Sequence, residues 1–183
     1  MPERKARVER NTSETKIVVE LNLDGSGKYD IDTGIGFFDH MLNSFARHGF
    51  FDLTCKVDGD LEVDCHHTIE DTGIVLGQAI REAVGDKKGI RRFGNFLLPM
   101  DETLVLGAVD LSGRPYCVCD LPFTVEKVGG FDTAAMNLHL KLIHGSNNHH
   151  IMEAAFKAFA KALDEASSYD PRITDVLSTK GAL

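Results

Sequence analysis

The sequence predicts an α+β fold built from two similar halves, about residues 1–95 and 96–183, that together form one compact unit. Three observations carry this. The string His66-His67-Thr68-Ile69-Glu70 returns as His149-His150-Ile151-Met152-Glu153. Each doublet follows a strand-like apolar stretch and opens a helical one. Upstream, Glu14-Thr15 and Asp24-Gly25-Ser26-Gly27 are matched by Glu102-Thr103 and Asp110-Leu111-Ser112-Gly113, and Phe37-Phe38-Asp39-His40 by Gly130-Phe131-Asp132-Thr133. Self-similarity of this kind marks a duplicated supersecondary unit. Strands mixed with amphipathic helices then give small sheets, each covered on one face.

The elements follow in order. Ile17 to Leu23 is an apolar strand run closed by a Gly-rich turn. DHMLNSFARHG, from Asp39, has the composition and spacing of a helix. FDLTCKV (51–57) and LEVD (61–64) alternate around Asp58-Gly59, which predicts a hairpin. After the first doublet, Ile69, Gly73, Leu76, Ile80 and Val84 mark one helical face. Leu104 to Val109 repeats the first strand, and Cys117 and Cys119 share one face of a further strand. LHLKLIHG (138–145) is a strand, and Met152, Phe156, Phe159 and Leu163 mark a second helix in an Ala-rich, helix-prone context. The expected unit is two strands, a helix, two strands and a helix, used twice. The halves are unequal, because little room for a helix exists between Asp132 and His149.

Composition narrows the function classes. A chain of 183 residues, 43% of them hydrophobic, can bury a proper core. The formal charge of −8 argues against a nucleic-acid partner, which a basic face would serve. It leaves room for a small anionic substrate at a local cluster of cations. The four cysteines form no C-x-x-C pair, so buried, reduced thiols are expected rather than zinc or disulfides. The charged start MPERKARVERNTSE has no signal-peptide core, and no run approaches the ~20 apolar residues of a membrane span. A cytoplasmic protein with no membrane partner is the expectation.

Two groups of residues carry chemistry. If each doublet starts a helix, residues i and i+4 share a face while i+1 points about 100° away. His66 then converges with Glu70, and His149 with Glu153, while His67 and His150 turn to another point. Imidazole and carboxylate together suit Mn, Fe or Zn. A single doublet would pass as polar residues at a helix start, but two copies hold four of the chain's eight histidines. His40, at the start of another helix, is a further candidate ligand. The second group is cationic: Arg92 in KKGIRRFG, Arg114 in SGRP, Lys157 one helical step beyond Glu153, and Lys180 in LSTKG. Singly these are solvated charges, but with the Ser178 and Thr179 hydroxyls they could hold a phosphate.

The strings GIGFFDHML, HHTIEDTGIVLG, GIRRFG, PMDETL, DLSGRP, HGSNNHHIMEAAFKAFAKAL and STKG, running from about Arg7 to the end of the chain, closely resemble the imidazoleglycerol-phosphate dehydratase family. The resemblance implies a duplicated two-layer α/β sandwich of the ribosomal protein S5 domain 2-like type. It also implies two Mn²⁺ per chain and a large homo-oligomer (24 subunits in the family) with active sites between subunits. Position by position, one ion would take His40, His66, Glu70 and His150. The other would take His67, His149, Glu153 and a ligand from a helix after Phe131-Asp132. Glu14 matches an acid close to the substrate, so Glu14, Glu70 and Glu153 are the implied catalytic carboxylates. Arg92, Arg114, Lys157, Ser178, Thr179 and Lys180 fall at substrate- and phosphate-binding positions. The implied reaction dehydrates imidazole glycerol phosphate to imidazole acetol phosphate. The sequence departs from the family between Thr133 and Ala134, where roughly a dozen residues are lacking by comparison with the repeat. Thr133 stands where the first half has His40, which leaves the second centre three protein ligands, with His139 or His144 as substitutes. The rival readings are a metal-assembled scaffold or weakened variant, and a dinuclear hydrolase of phosphate esters.

Overall fold

A computed structural model describes residues 3–122 and 137–178. These fall into two compact units, the first ending at Ala83 and the second starting at Val84. The fold is α+β, with one four-stranded sheet in each unit.

The first unit holds β1 (Lys5–Asn11), β2 (Thr15–Asn22), β3 (Tyr29–Asp32), α1 (Gly36–Gly49), β4 (Asp52–Gly59) and all but the last residue of α2 (His66–Val84). Its sheet order is β1-β2-β4-β3, antiparallel except for the parallel pair β3–β4. The period-2 pattern of β2 sends Thr15, Ile17, Val19 and Leu21 to the interior, each at most 2% exposed. Opposite them, Leu53 and Cys55 of β4 are buried too. Helix α1 buries Phe38, Met41, Leu42 and Phe45, a spacing of 3 and 4 residues that makes one face. Its first turn is fastened by Asp39, whose Oδ1 accepts from the Thr33 backbone N–H (2.9 Å) and hydroxyl (2.6 Å). Phe50, in the left-handed region (φ 57°), closes it by donating to the Ala46 carbonyl.

The second unit holds β5 (Phe93–Met100), β6 (Thr103–Asp110), β7 (Tyr116–Asp120), β8 (Asn137–His144) and α3 (Asn148–Ser167). The sheet order β5-β6-β8-β7, again with one parallel pair at β7–β8, reproduces the first sheet strand for strand. Helix α3 lies across β5 and β6. Ala154, Ala155 and Ala158 meet Leu98 and Val105 in its core. Small residues on both sides let helix and sheet approach closely. A Cβ on Gly94 would stand 1.9 Å from the Ala162 carbonyl oxygen, and one on Gly107 would stand 2.9 Å from the Ala158 carbonyl carbon. Both obstacles are helix backbone, which cannot turn aside. Gly94→Ala is therefore expected to destabilise this unit by about 2 kcal/mol or more, at the upper end of overpacking costs. A chemical-denaturation midpoint checks it, with Gly36→Ala as control, since a Cβ there meets nothing within 4 Å and the backbone is not left-handed.

Several expectations are corrected. The repeat unit reads three strands, a helix, a strand and a helix in the first half, because the charged run KARVERN forms β1 and YDID forms β3. Strand β1 sits at the sheet edge with Val8 buried, so its charges face water, as edge strands require. LEVD forms no hairpin partner. It is a turn, with Leu61 N–H donating to Gly59 and Val63 N–H to Asp60, and both side chains exposed. Of the four cysteines, none of them in a disulfide, Cys55 is the buried one, and Cys117 and Cys119 are exposed. Burial pushes the Cys55 thiol up to about 12, which makes it unreactive. Among the described residues no helix is long and apolar enough to cross a membrane.

Candidate functional site

Both doublets begin helices, and an Asx side chain starts each one. Asn147 caps α3, its Oδ1 accepting from the His149 (2.9 Å) and His150 (3.4 Å) N–H groups. Asp64 accepts from the His66 N–H at 2.7 Å at the same spacing. The doublets thus sit in the first helical turn, where side chains project past the helix end.

Within each helix the i,i+4 convergence is realised. His66 Nε2 lies 3.3 Å from Glu70 Oε2, and His149 Nε2 lies 3.2 Å from Glu153 Oε2. The second histidines turn away, their rings nearly perpendicular to the first at 73° and 82°. His67 Nδ1 meets Asp60 at 2.9 Å, with Glu14 Oε1 3.9 Å from Nε2. His150 Nδ1 meets Glu102 at 2.7 Å, with Asp101 3.7 Å from Nε2. The hydrogen bond to Asp60 raises the His67 pKa, and the bond to Glu102 raises that of His150. Glu102 is correspondingly pulled down to about 2, by His150 first and then by backbone N–H groups. A neutral imidazole that gives its Nδ1–H to a carboxylate keeps its Nε2 lone pair for a ligand, the outer-shell arrangement of metal-binding histidines.

The two helices differ in burial. His66 and Glu70 are exposed at 63% and 57%, whereas the Glu153 side chain is only 10% exposed and Lys157 18%. Glu153 divides its oxygens, Oε2 to His149 and Oε1 to Lys157 Nζ at 2.6 Å. His40 lies exposed in the first turn of α1.

The expected phosphate residues are placed unevenly. Arg92 (φ 69°) is held in a bidentate pair, Nε to Asp110 Oδ1 at 2.7 Å and Nη2 to Oδ2 at 3.2 Å, and lies over the Phe93 ring. Its Nη1 donates to the Leu177 carbonyl at 2.7 Å, so Arg92 fastens the segment that carries Ser178. Arg114 is exposed in its turn, its N–H donating to Ser112 Oγ at 3.3 Å. Thr133, Thr179 and Lys180 lie outside the described residues. Sequence reasoning overlooked Asp60, Asp64, Asn147 and Glu102. The Asx residue two positions before each doublet was a usable signal, as was the match of Glu102-Thr103 to Glu14-Thr15.

The sequence profile of the imidazoleglycerol-phosphate dehydratase family matches residues 33–163. A protein of that name from Lachnoclostridium phytofermentans is 63% identical over 98% of this chain and 98% of its own length. This chain belongs to the imidazoleglycerol-phosphate dehydratase family. It is a family of hydro-lyases of histidine biosynthesis, so the chain is classed as an enzyme. The imidazoleglycerol-phosphate dehydratase of Thermoanaerobacter pseudethanolicus is 57% identical over 98% of this chain and 100% of that one. Two crystal structures of imidazoleglycerol-phosphate dehydratases show the same fold at 37% identity. The Staphylococcus aureus enzyme has a TM-score of 0.78 over 91% of this chain and 99% of its own. The Pyrococcus furiosus enzyme, in complex with (S)-C348, has one of 0.80 over 96% and 100%. A Clostridium botulinum relative aligns over 196 positions with all 183 residues of this chain, so 13 of those positions have no counterpart here. That number is close to the roughly dozen residues expected to be lacking between Thr133 and Ala134.

Proposed function

We propose that this chain is a cytoplasmic hydro-lyase that converts imidazole glycerol phosphate to imidazole acetol phosphate with two Mn²⁺ ions held by the histidine doublets. The observation that carries the reading is the pair of helix starts. Each supplies an imidazole–carboxylate pair on one face and a second imidazole oriented through Nδ1 by a carboxylate. The nitrogen and carboxylate-oxygen donors, with no thiolate among them, fit manganese. His40, His66, Glu70 and His150 would hold one ion. His67, His149 and Glu153 would hold the other, whose further family ligand would come from the segment expected to be lacking after Thr133. The sites would be completed between subunits of a large homo-oligomer.

When bound, such ions act as Lewis acids that favour the imidazolate form of the substrate ring. The chain's residues supply the rest. The ring's electron density would expel the neighbouring hydroxyl, which leaves with the C–O electron pair and takes up a proton to depart as water. A Glu14 carboxylate oxygen would accept the proton from the adjacent carbon, and the resulting enol would tautomerise to the ketone, gaining a proton on the carbon next to the ring and losing the one on its oxygen. Lys157, Arg114, Ser178, Thr179 and Lys180 would bind the phosphate. Arg92, fixed by Asp110, would hold the tail against it, aligning the glycerol chain for proton transfer.

Turnover of imidazole glycerol phosphate by the Mn²⁺-reconstituted chain tests this. Glu14→Gln should lower kcat about 10²–10⁴-fold, the span of a general base. Full activity in that variant would remove Glu14 from the mechanism, and metal-loaded wild type with no turnover would sink the reading. The 13 positions without counterpart favour one alternative, a variant that binds one ion and turns over slowly. The same assay separates it by rate.

A further inference from the structure

The two matching glutamates have different fates. Glu14 stands in the turn between Asn11 and Lys16, which pair across β1 and β2, and Glu102 stands in the shorter turn between Met100 and Thr103. Each is followed by a buried threonine, Thr15 or Thr103, both 1% exposed. Glu102 is tied on both oxygens. Its Oε1 accepts from the Thr103 hydroxyl (3.1 Å) and the Asn147 N–H (3.2 Å), and its Oε2 accepts from His150 Nδ1 (2.7 Å).

Around Glu14 the same donors are drawn elsewhere. The Thr15 hydroxyl donates to Asp71 Oδ2 at 2.5 Å, and His67 Nδ1 goes to Asp60. Asp71, only 7% exposed, is itself fixed by Arg10 Nε, 3.1 Å from Oδ1. The turn is braced through Thr12 Oγ1, which accepts from the Glu14 and Thr15 N–H groups and lies 3.2 Å from the Thr15 hydroxyl. Asp71 follows Glu70 directly, and the residue that follows Glu153 is Ala154. The second half therefore has no carboxylate at that place to divert Thr103.

We infer that Asp71 is a positioning residue for the dehydration: by taking the Thr15 hydroxyl, it stops Thr15 from binding the preceding carboxylate as Thr103 binds Glu102. Glu14 is left available to the substrate. The inference rests on Glu14 being the proton acceptor.

The test uses Asp71→Asn, which keeps size and shape. Arg10 Nε–H needs an acceptor, so it orients the amide oxygen toward itself and the NH₂ toward Thr15. The NH₂ cannot accept from Thr15, whose hydroxyl proton is released to Glu14, as the Thr103 hydroxyl goes to Glu102, with Thr12 Oγ1 at 3.2 Å as the competing acceptor. In the Mn²⁺-loaded full chain, kcat should fall about tenfold, a partial loss of general-base catalysis, with KM and Mn²⁺ content within twofold of wild type. Adding Thr15→Val removes the competing hydroxyl, so the double variant should recover most of kcat, and Thr15→Val alone should stay near wild type. Wild-type kcat in Asp71→Asn overturns the inference. So does a loss that Thr15→Val does not repair, since that marks a merely structural role. Glu14→Gln run alongside separates the two readings: if it is inactive while the double variant stays low, only the role of Asp71 falls. If Glu14→Gln is fully active, both fall.

Discussion

Glu153→Gln should cost both activity and stability. The Glu153 carboxylate is nearly buried and serves two partners at once, His149 at 3.2 Å and the Lys157 ammonium at 2.6 Å. Gln keeps the volume but removes the charge that balances a mostly buried lysine. Breaking one partner of a fully buried pair costs about 3–5 kcal/mol. Lys157 keeps some solvent at 18% exposure, so about 2 kcal/mol is expected here. A denaturation midpoint on metal-free protein measures this without the stabilisation that bound metal adds. As a proposed ion ligand, Glu153 should also lower turnover at least about 10²-fold when lost, beyond what outer-shell changes cost. A metal-free stability equal to wild type would show that the Glu153–Lys157 pair is energetically neutral.

Glu70→Gln should show the same loss of turnover with none of the loss of stability. Glu70 occupies the equivalent place in the other doublet, 3.3 Å from His66, but the two side chains are 57% and 63% exposed. An exposed i,i+4 pair contributes little, and its removal should stay within about 0.5 kcal/mol of wild type. Activity and Mn²⁺ retention should both drop, by about 10²-fold or more for turnover. A Glu70→Gln enzyme of normal kcat would show that this carboxylate holds no ion needed for the reaction. Together the two variants separate the chemistry of the motif from its packing.

Legibility in the sequence followed the strength of each physical signal. Helices α2 and α3 were readable because apolar spacing sustained over several turns has no competing explanation. The i,i+4 pairing of His66 with Glu70 and of His149 with Glu153 needed only helix geometry. Strands β1 and β3 escaped because an edge strand turns its charges to water, which hides the alternation that marks strands. LEVD misled for the opposite reason: it alternates, but its apolar side chains have no face to cover. The helix face marked by Met152 and Phe156 was too narrow, since alanines on other sides of α3 are buried as well. Partners such as Asp60 for His67, Asp71 for Thr15 and Asp110 for Arg92 are 7 to 56 residues away along the chain. No local pattern encodes such distances. The repeat could have shown Glu102, had the match of Glu102-Thr103 to Glu14-Thr15 been carried into the site.

The two histidine doublets, each divided between two centres, are the proposed metal ligands on which the function rests. Elemental analysis of the full chain, reconstituted with Mn²⁺ and freed of loosely held ion, tests this most directly. Two ions per chain are expected, one for each centre. Retention of one would limit the claim to a single centre and favour the slow variant. Protein that retains no ion, while folded and at full concentration, would contradict the account.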